Sequence, residues 1–150
     1  MIVATHDLAG HRGGVTMVDG GFDPLHPGHV AYFEAAAALG LPVLCNVAPD
    51  EWVARKHPPL LTQSERGAII DAIRWVTYTH LAQTTTNEVL RLLRPRYYAK
   101  GADWRGRLPE AEVETCREHG VEVVYLDTVL DSSTAVLERY ESRETDPRTR

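Results

Sequence analysis

The sequence lacks a run of apolar residues long enough to cross a membrane. A spanning helix needs about 18 consecutive apolar residues, and no run in these 150 residues approaches that length. The first twelve residues lack the compact apolar core of a signal peptide. Cysteine is scarce, and Cys45 in an apolar run and Cys116 in a polar helix do not suggest a disulfide framework. We therefore expect a cytoplasmic protein with no membrane attachment.

The chain also lacks an excess of positive charge. With 16 Lys and Arg against 21 Asp and Glu, its formal net charge is −5. General binding to nucleic acid or to anionic membranes favours basic surfaces, so we expect neither partner. The length of 150 residues fits one domain, and 43% hydrophobic residues are enough for a core.

The most informative stretch joins a predicted buried strand, residues 15–18, to a predicted helix, residues 30–39. The connecting sequence is Gly20-Gly21-Phe22-Asp23-Pro24-Leu25-His26-Pro27-Gly28-His29. Glycines at such a turn let the backbone approach a ligand closely, because no Cβ intervenes. Pro27 suits the first turn of a helix, whose free N–H groups form an anion site. Because His26 and His29 stand three residues apart, both rings can face the same anion. The stretch therefore predicts a phosphate site.

A His-x-x-His pair is also half of many zinc sites. No Cys or Asp/Glu pair stands at a spacing that would complete such a site, so zinc binding is the weaker alternative. For either histidine taken singly, a capping role is the structural alternative.

Strand-length apolar runs alternate with helical patterns along the rest of the chain. The further strands are predicted at residues 43–48, 76–78, 97–99 and 121–126. The alternation predicts a Rossmann-like, doubly wound α/β fold, with a parallel sheet of about five strands and helices on both faces. Residues 1–14 are predicted to be a leader of uncertain order, residues 15–141 the functional domain and residues 142–150 a disordered tail.

Four segments fall at the predicted carboxyl ends of the strands, where open α/β sheets bind their ligands. They are the glycine-rich turn, the locally basic loop 49–61, residues 100–104 and residues 131–134. A solvated surface loop is the alternative for residues 49–61. In the helix that begins with the capping box Thr62-Gln63-Ser64-Glu65, Arg66 is poorly placed against the dipole. A bound polyphosphate would offset that conflict.

The ten-residue turn resembles the signature G-x-F-D-x-x-H-x-G-H of the cytidylyltransferase-like nucleotidyltransferases. Three further segments resemble motifs of that family in the family's order: Glu65-Arg66, Lys100-Gly101-Ala102-Asp103-Trp104 and Ser132-Ser133-Thr134. Residues 108–113 most resemble the adenylyltransferases that make ADP-heptose. The string Gly-Ala-Asp-Trp-Arg-Gly-Arg from residue 101 is similar instead to glycerol-phosphate cytidylyltransferases.

The resemblance implies transfer of a nucleoside monophosphate from a nucleoside triphosphate to a phosphorylated small molecule, with release of pyrophosphate by direct in-line attack. The first expectation is ATP with a sugar 1-phosphate similar to heptose 1-phosphate. The alternative is CTP with glycerol phosphate or another phosphoalcohol or phosphonate, and the third is a nucleotide-binding module without turnover. The family implies Mg²⁺ with the triphosphate rather than a protein-bound metal. A homodimer is expected because the helix at residues 30–39 is apolar nearly all round.

The resemblance also implies a set of site residues. The predicted catalytic residues are His26, His29, Lys56 and Arg66. The predicted nucleotide-binding residues are Gly20, Gly21, Phe22, Asp23, Gly28, Gly101, Asp103, Trp104, Ser132, Ser133 and Thr134. The predicted acceptor-binding residues are Lys100 and Arg55. Capping and packing are the alternative for Asp103 and Trp104, and a solvated strand end is the alternative for Lys100.

Two segments depart from the family pattern. Residues 127–132 read Asp-Thr-Val-Leu-Asp-Ser where cytidylyltransferases carry Arg-Thr-x-Gly-Ile-Ser, which weakens the case for cytosine. Pro58 stands where the heptose enzymes have an arginine, so Arg55 or His57 would have to compensate.

Overall fold

The computed structural model of the protein describes residues 1–128 and 133–144. Helices and strands alternate along these residues. In chain order they are a 3-10 helix Thr5–His11, β1 Thr16–Gly20, α1 Pro27–Ala37, β2 Val43–Val47, α2 Asp50–Val53, α3 Gln63–Asp71, β3 Tyr78–Leu81, α4 Thr86–Leu93, β4 Tyr97–Gly101, a 3-10 helix Ala102–Trp104, α5 Glu110–Glu118, β5 Glu122–Leu126 and α6 Ser133–Glu144.

The five strands form one parallel sheet in the order β3-β2-β1-β4-β5. This confirms the predicted Rossmann-like α/β fold. The chain runs outward from β1 to β3 and then returns to the other side of β1 with β4. The strand order therefore reverses between β1 and β4, where ligands bind in open sheets.

Helices cover both faces of the sheet. The first 3-10 helix, α4 and α5 bury Leu8, Leu90 and Cys116 against one face. On the other face, α1 and α3 bury Phe33 and Ile70. All five residues of β2 are buried, as expected of a parallel strand covered on both sides.

The first fourteen residues have a defined place in this fold, although their sequence suggested a leader of uncertain order. Val3 N donates to Thr79 O over 2.8 Å, so the N-terminal segment adds to the edge of the sheet beside β3. Leu8 is 0% exposed in the cluster under α4. Isolated apolar residues among polar ones give no periodic signal, which explains why the sequence did not reveal this contact.

Three boundaries differ from the sequence prediction. The third strand lies at Tyr78–Leu81 rather than at residues 76–78, because His80 is paired within the sheet despite being polar. Helix α2, Asp50–Val53, occupies part of the predicted loop 49–61. Helix α6 extends to Glu144, into the predicted tail 142–150, whereas residues 145–150 of that tail lie outside the described residues. None of the helices in residues 1–128 and 133–144 is long and apolar enough to span a bilayer.

Candidate active site

A cavity of about 740 Å³ opens at the carboxyl edge of the sheet, where the strand order reverses. It brings together most of the residues predicted for the site. Those that line it are Gly20, Gly21, Phe22, Asp23, His26, Gly28, His29, Arg55, Lys56, Lys100, Gly101, Asp103, Trp104, Ser133 and Thr134. Ser132 lies outside the described residues. The predicted roles stay predictions, but the positions fit a single ligand site.

The two signature histidines form a reciprocal capping box at the start of α1. Gly28 N donates to His26 Nδ1 over 3.1 Å, and His26 N donates to His29 Nδ1 over 3.3 Å. Because each Nδ1 accepts a hydrogen bond, each neutral ring carries its proton on Nε2. The rings are stacked, with centroids 3.8 Å apart. The turn therefore fixes two adjacent side chains as donors through Nε2, as a phosphate site requires.

His29 keeps this donor role without a positive charge. Burial, and next the electrostatic interaction with the neighbouring His26 ring, lowers the pKa of His29 to about 3. The ring is therefore neutral near pH 7 in the ligand-free protein.

The glycines of the turn make room for the protein's own side chains. A Cβ on Gly20 would lie 3.0 Å from the Phe22 ring, and one on Gly21 would lie 3.1 Å from Val53 Cγ2. Phe22 has a positive φ of 55°, which is uncommon for an aromatic residue. This conformation places its ring 5.0 Å from the His29 ring, centroid to centroid. Gly20 and Gly21 thus leave room for Phe22 and Val53, and because both glycines also line the cavity, their predicted closeness to a ligand stays a prediction.

Arg66 does not reach the cavity, which contradicts its predicted contact with phosphate. Its side chain is 0% exposed and pairs with Asp50 over 2.7 Å. Three further N–H groups donate to the carbonyl oxygens of Leu61, Gly21 and Ala48. The Arg66 charge is unfavourably placed near the start of α3, where the helix dipole is positive. Asp50 and these carbonyls, rather than a polyphosphate, compensate that charge. Arg66 therefore holds together the backbone that surrounds the site.

Asp23 also supports the site instead of offering a free carboxylate. Its two oxygens accept the N–H groups of Leu60 and Leu61 over 2.7 and 3.2 Å, and His57 Nδ1 lies 4.0 Å away. These contacts attach loop 54–61 to the signature turn. The loop presents Arg55 and Lys56 to the cavity; both are exposed, and neither forms an ion pair with any described residue. Lys56 Nζ lies 4.8 Å from the centroid of a Trp52 ring.

Lys100 is paired with a carboxylate of the protein, and its predicted contact with an acceptor phosphate stays a prediction. Its Nζ lies 2.8 Å from Asp19 Oδ1, and the two side chains are 8% and 11% exposed. Thr86 Oγ1 donates to Asp19 Oδ2 over 3.1 Å. Trp104 covers the ammonium group at 4.1 Å from Nζ to the ring centroid. The lysine charge is therefore largely compensated.

Sequence reasoning missed Asp19, Thr86, Tyr98 and Glu112, all of which line the cavity around Lys100. Tyr98 OH lies 2.8 Å from Glu112 Oε1 and 3.2 Å from Asp19 Oδ2. One signal was available: Asp19 is an acidic residue near the carboxyl end of an otherwise apolar strand. The partners of Asp19 are distant in sequence and could not be identified from spacing.

The start of α6 closes the cavity on the side of the signature turn. Ser133 Oγ donates to Pro24 O over 2.9 Å, and Thr134 follows it on the cavity wall. Among the described residues, no three His, Cys, Asp or Glu side chains lie close enough to hold a metal ion. The zinc alternative for His26 and His29 therefore has no further ligands in this part of the chain.

The cavity has two parts of different chemistry. The histidine half surrounds His26, His29 and Ser133. The carboxylate half surrounds Asp19, Lys100 and Glu112. Since the cavity lies at the switch point of a doubly wound sheet and carries fixed donors in one half, fold and site together define an α/β protein suited to a phosphorylated ligand.

The chain belongs to the cytidylyltransferase-like family, whose model matches residues 17–143. This confirms the predicted family, and the chain is a nucleotidyltransferase. It is 36% identical over 136 residues to the bifunctional protein HldE of Gluconobacter oxydans, covering 86% of this chain and 28% of that protein. It is 31% identical over 150 residues to HldE of Pseudomonas aeruginosa, covering 95% of this chain and 31% of that protein. The chain thus spans about three tenths of the length of these curated relatives.

Solved structures share the fold at lower identity. A lipopolysaccharide core biosynthesis protein from Thermoplasma volcanium superimposes with a TM-score of 0.67 at 24% identity, covering 77% of this chain and 97% of that one. Pantothenate synthetase from Thermus thermophilus has a TM-score of 0.64 at 18% identity, covering 97% of this chain and 70% of that one.

Proposed function

We propose that the protein transfers a nucleoside monophosphate from ATP to a sugar 1-phosphate and releases pyrophosphate. The observation that carries the proposal is the pair of imidazoles whose Nε2–H groups are fixed as donors by the capping box of α1. Similarity to HldE over most of the chain supports a sugar phosphate as acceptor. The absence of arginine from residues 127–132 favours ATP over CTP, because cytidylyltransferases of this family carry one there.

In this proposal an oxygen of the acceptor phosphate attacks the α-phosphorus in line, and the bond from that phosphorus to the bridging oxygen of pyrophosphate breaks. His26 and His29 donate Nε2–H to oxygens of the α- and β-phosphates, where negative charge increases in the transition state. Lys56 approaches the outer phosphates from loop 54–61, together with Ser133 and Thr134 from α6, whereas Arg55 approaches the acceptor phosphate. The protein thus contributes positioning and charge stabilisation without a covalent intermediate.

Mg²⁺ is proposed to enter with the triphosphate as part of the substrate. Both oxygens of Asp23 already accept amide hydrogens, so the phosphates rather than this carboxylate would supply its ligands.

A pyrophosphate-release assay with four nucleoside triphosphates and a panel of phosphorylated acceptors tests the proposal. We expect the fastest release with ATP and a sugar 1-phosphate. Release that requires CTP and glycerol phosphate or a phosphonate would favour the alternative pair, for which the Gly-Ala-Asp-Trp string at residues 101–104 argues. Nucleotide binding without release from any pair would overturn the proposal and indicate a binding module.

The homodimer is also a proposal, and light scattering at micromolar concentration tests it. Val30 of α1 is 36% exposed and adjoins a second, shallower depression, which fits a subunit contact. A monomer under these conditions would contradict it.

A further inference from the structure

The carboxylate half of the cavity is built on a row of polar residues that crosses the sheet near its carboxyl edge. In the strand register, Asp19 of β1 stands beside Asn46 of β2, which stands beside His80 of β3. On the other side of β1, Lys100 reaches Asp19. His80 Nδ1 lies 2.8 Å from Asn46 Oδ1. This row lies on the face of the sheet covered by α4 and α5, whereas α1 with the histidines covers the opposite face.

Most groups in this half are already paired with one another. Asp19 accepts from Lys100 and Thr86, and Lys100 is covered by the Trp104 ring. The phenol of Tyr98 has one proton, and its shorter contact is the 2.8 Å bond to Glu112 Oε1. These residues form a scaffold with little capacity for further hydrogen bonds.

Glu112 is the exception. It stands in the first turn of α5 on the cavity wall, and among the described residues Tyr98 is the single hydrogen-bond partner of its carboxylate. A carboxylate offers about four lone-pair sites, so acceptor capacity remains. Burial raises the pKa of Glu112, the direction expected of a carboxylate with too few donors around it.

We propose that Glu112 is a specificity-determining residue whose carboxylate accepts a hydroxyl group of the acceptor substrate. This assignment rests on the proposed function, because only a transferase of this kind has an acceptor. It adds the side chain that recognises a hydroxyl group of that acceptor. Asp19 and Glu112 against Lys100 leave this half with a net negative charge, which disfavours a phosphate there. The acceptor phosphate therefore lies outside this half, towards Arg55, and its polyol part extends to Glu112.

Titration calorimetry of the full chain tests the assignment without requiring turnover. The titrant is D-glucose 1-phosphate, in the presence of Mg²⁺ and an ATP analogue with a methylene bridge between the α- and β-phosphates. We expect Glu112→Gln to weaken sugar-phosphate binding about tenfold or more, since hydrogen bonds to charged groups contribute about 1.5–3 kcal/mol. Affinity for the ATP analogue alone should not change. Glu110→Gln is the matched control, because Glu110 is exposed in the same turn and does not line the cavity.

The monodeoxy analogues of glucose 1-phosphate identify the hydroxyl. One analogue should bind the wild-type protein about tenfold more weakly, yet show no further loss with Glu112→Gln, as a thermodynamic cycle requires for two groups in contact. Equal binding to wild type and Glu112→Gln, or no binding of the sugar phosphate, would overturn the inference.

A parallel pyrophosphate assay separates this inference from the proposed function. Binding that depends on Glu112 with no pyrophosphate released from any pair would refute the function and leave the hydroxyl site. Turnover of an acceptor whose affinity is unaffected by Glu112→Gln would refute the site and leave the function.

Discussion

The histidine half and the carboxylate half of the cavity differ in how far apart their interacting residues lie in the sequence. In the histidine half, His26 and His29 organise each other across three positions of one turn. In the carboxylate half, Asp19 meets Thr86 and Lys100 across 67 and 81 positions. The first half uses neutral donors set by local backbone geometry, whereas the second uses charges that meet only in the folded sheet. Local patterns in the sequence therefore located the histidine half, whereas the partners of Lys100 in the carboxylate half could not be read from them.

The largest effect should come from removing a donor in the histidine half. We expect His29→Ala to reduce kcat/KM about 10²–10³-fold, the range found when one donor to a developing oxyanion is lost. The melting temperature should fall only modestly, because the ring lines the cavity and the variant loses one capping hydrogen bond, from His26 N. Steady-state pyrophosphate release and thermal unfolding measure the two quantities.

His6→Ala is the control for that variant, because His6 is 84% exposed and does not line the cavity. A fall in melting temperature that accounts for the lost activity would assign His29 to structure, and the contrast between the two halves would disappear.

The next effect concerns Arg66, which supports the backbone of the signature turn through Gly21 O. Arg66→Met should lower the free energy of unfolding by about 2–3 kcal/mol, because Asp50 and the Gly21 and Ala48 carbonyls lose their donor. Activity per folded molecule should stay within a few-fold of wild type. Urea unfolding gives the stability, with Arg91→Met on the exposed face of α4 as control. If the variant had wild-type stability and a much higher KM for nucleotide, Arg66 would have to be assigned to phosphate binding.

A smaller effect is expected from the loop that borders the histidine half. Lys56→Ala should weaken triphosphate binding about tenfold, because the triphosphate loses one charge-assisted contact with an exposed side chain. Binding of the sugar phosphate to the carboxylate half should be affected less. Calorimetric titration with the ATP analogue measures this, and Arg117→Ala, which removes an exposed cation from α5, is the control. Unchanged nucleotide affinity would remove Lys56 from the site.

The smallest effect is a pH dependence of stability. The pKa of His29 is about 3 in the folded protein against an ordinary value of 6.5. Between these values the unfolded chain binds more protons, so the free energy of unfolding falls as the pH drops from 6.5 towards 3. Near pH 6 the loss from this ring should be about 1 kcal/mol relative to pH 8. Urea unfolding at pH 8 and pH 6 should show that the free energy of unfolding decreases less in His29→Gln than in wild type. Equal decreases in the two proteins would contradict a neutral His29 ring in the folded protein.

The structure agrees best with the sequence-based predictions where a feature depends on residues that are close together in the chain. The capping box at Thr62 and Glu65, Pro27 in the first turn of α1, and the buried run of β2 all occur as their patterns predict. The third strand was misplaced because His80, a polar residue, is buried in the sheet with Asn46 and Thr5 as partners. A polar residue in a strand cannot be assigned to the interior until its partners are known.

The sequence by itself determined the family, the alternation of strands and helices, and the turn that holds His26 and His29. The family follows from short motifs, and the strands, helices and turn depend on hydrogen bonds and steric limits within a few residues. Only the tertiary structure decided that Arg66 is buried under the site, that Lys100 is paired with Asp19, and that Glu112 retains acceptor capacity on the cavity wall. The physical reason is that the energy of a charge depends on its burial and its partners, and both are set by strand order and register.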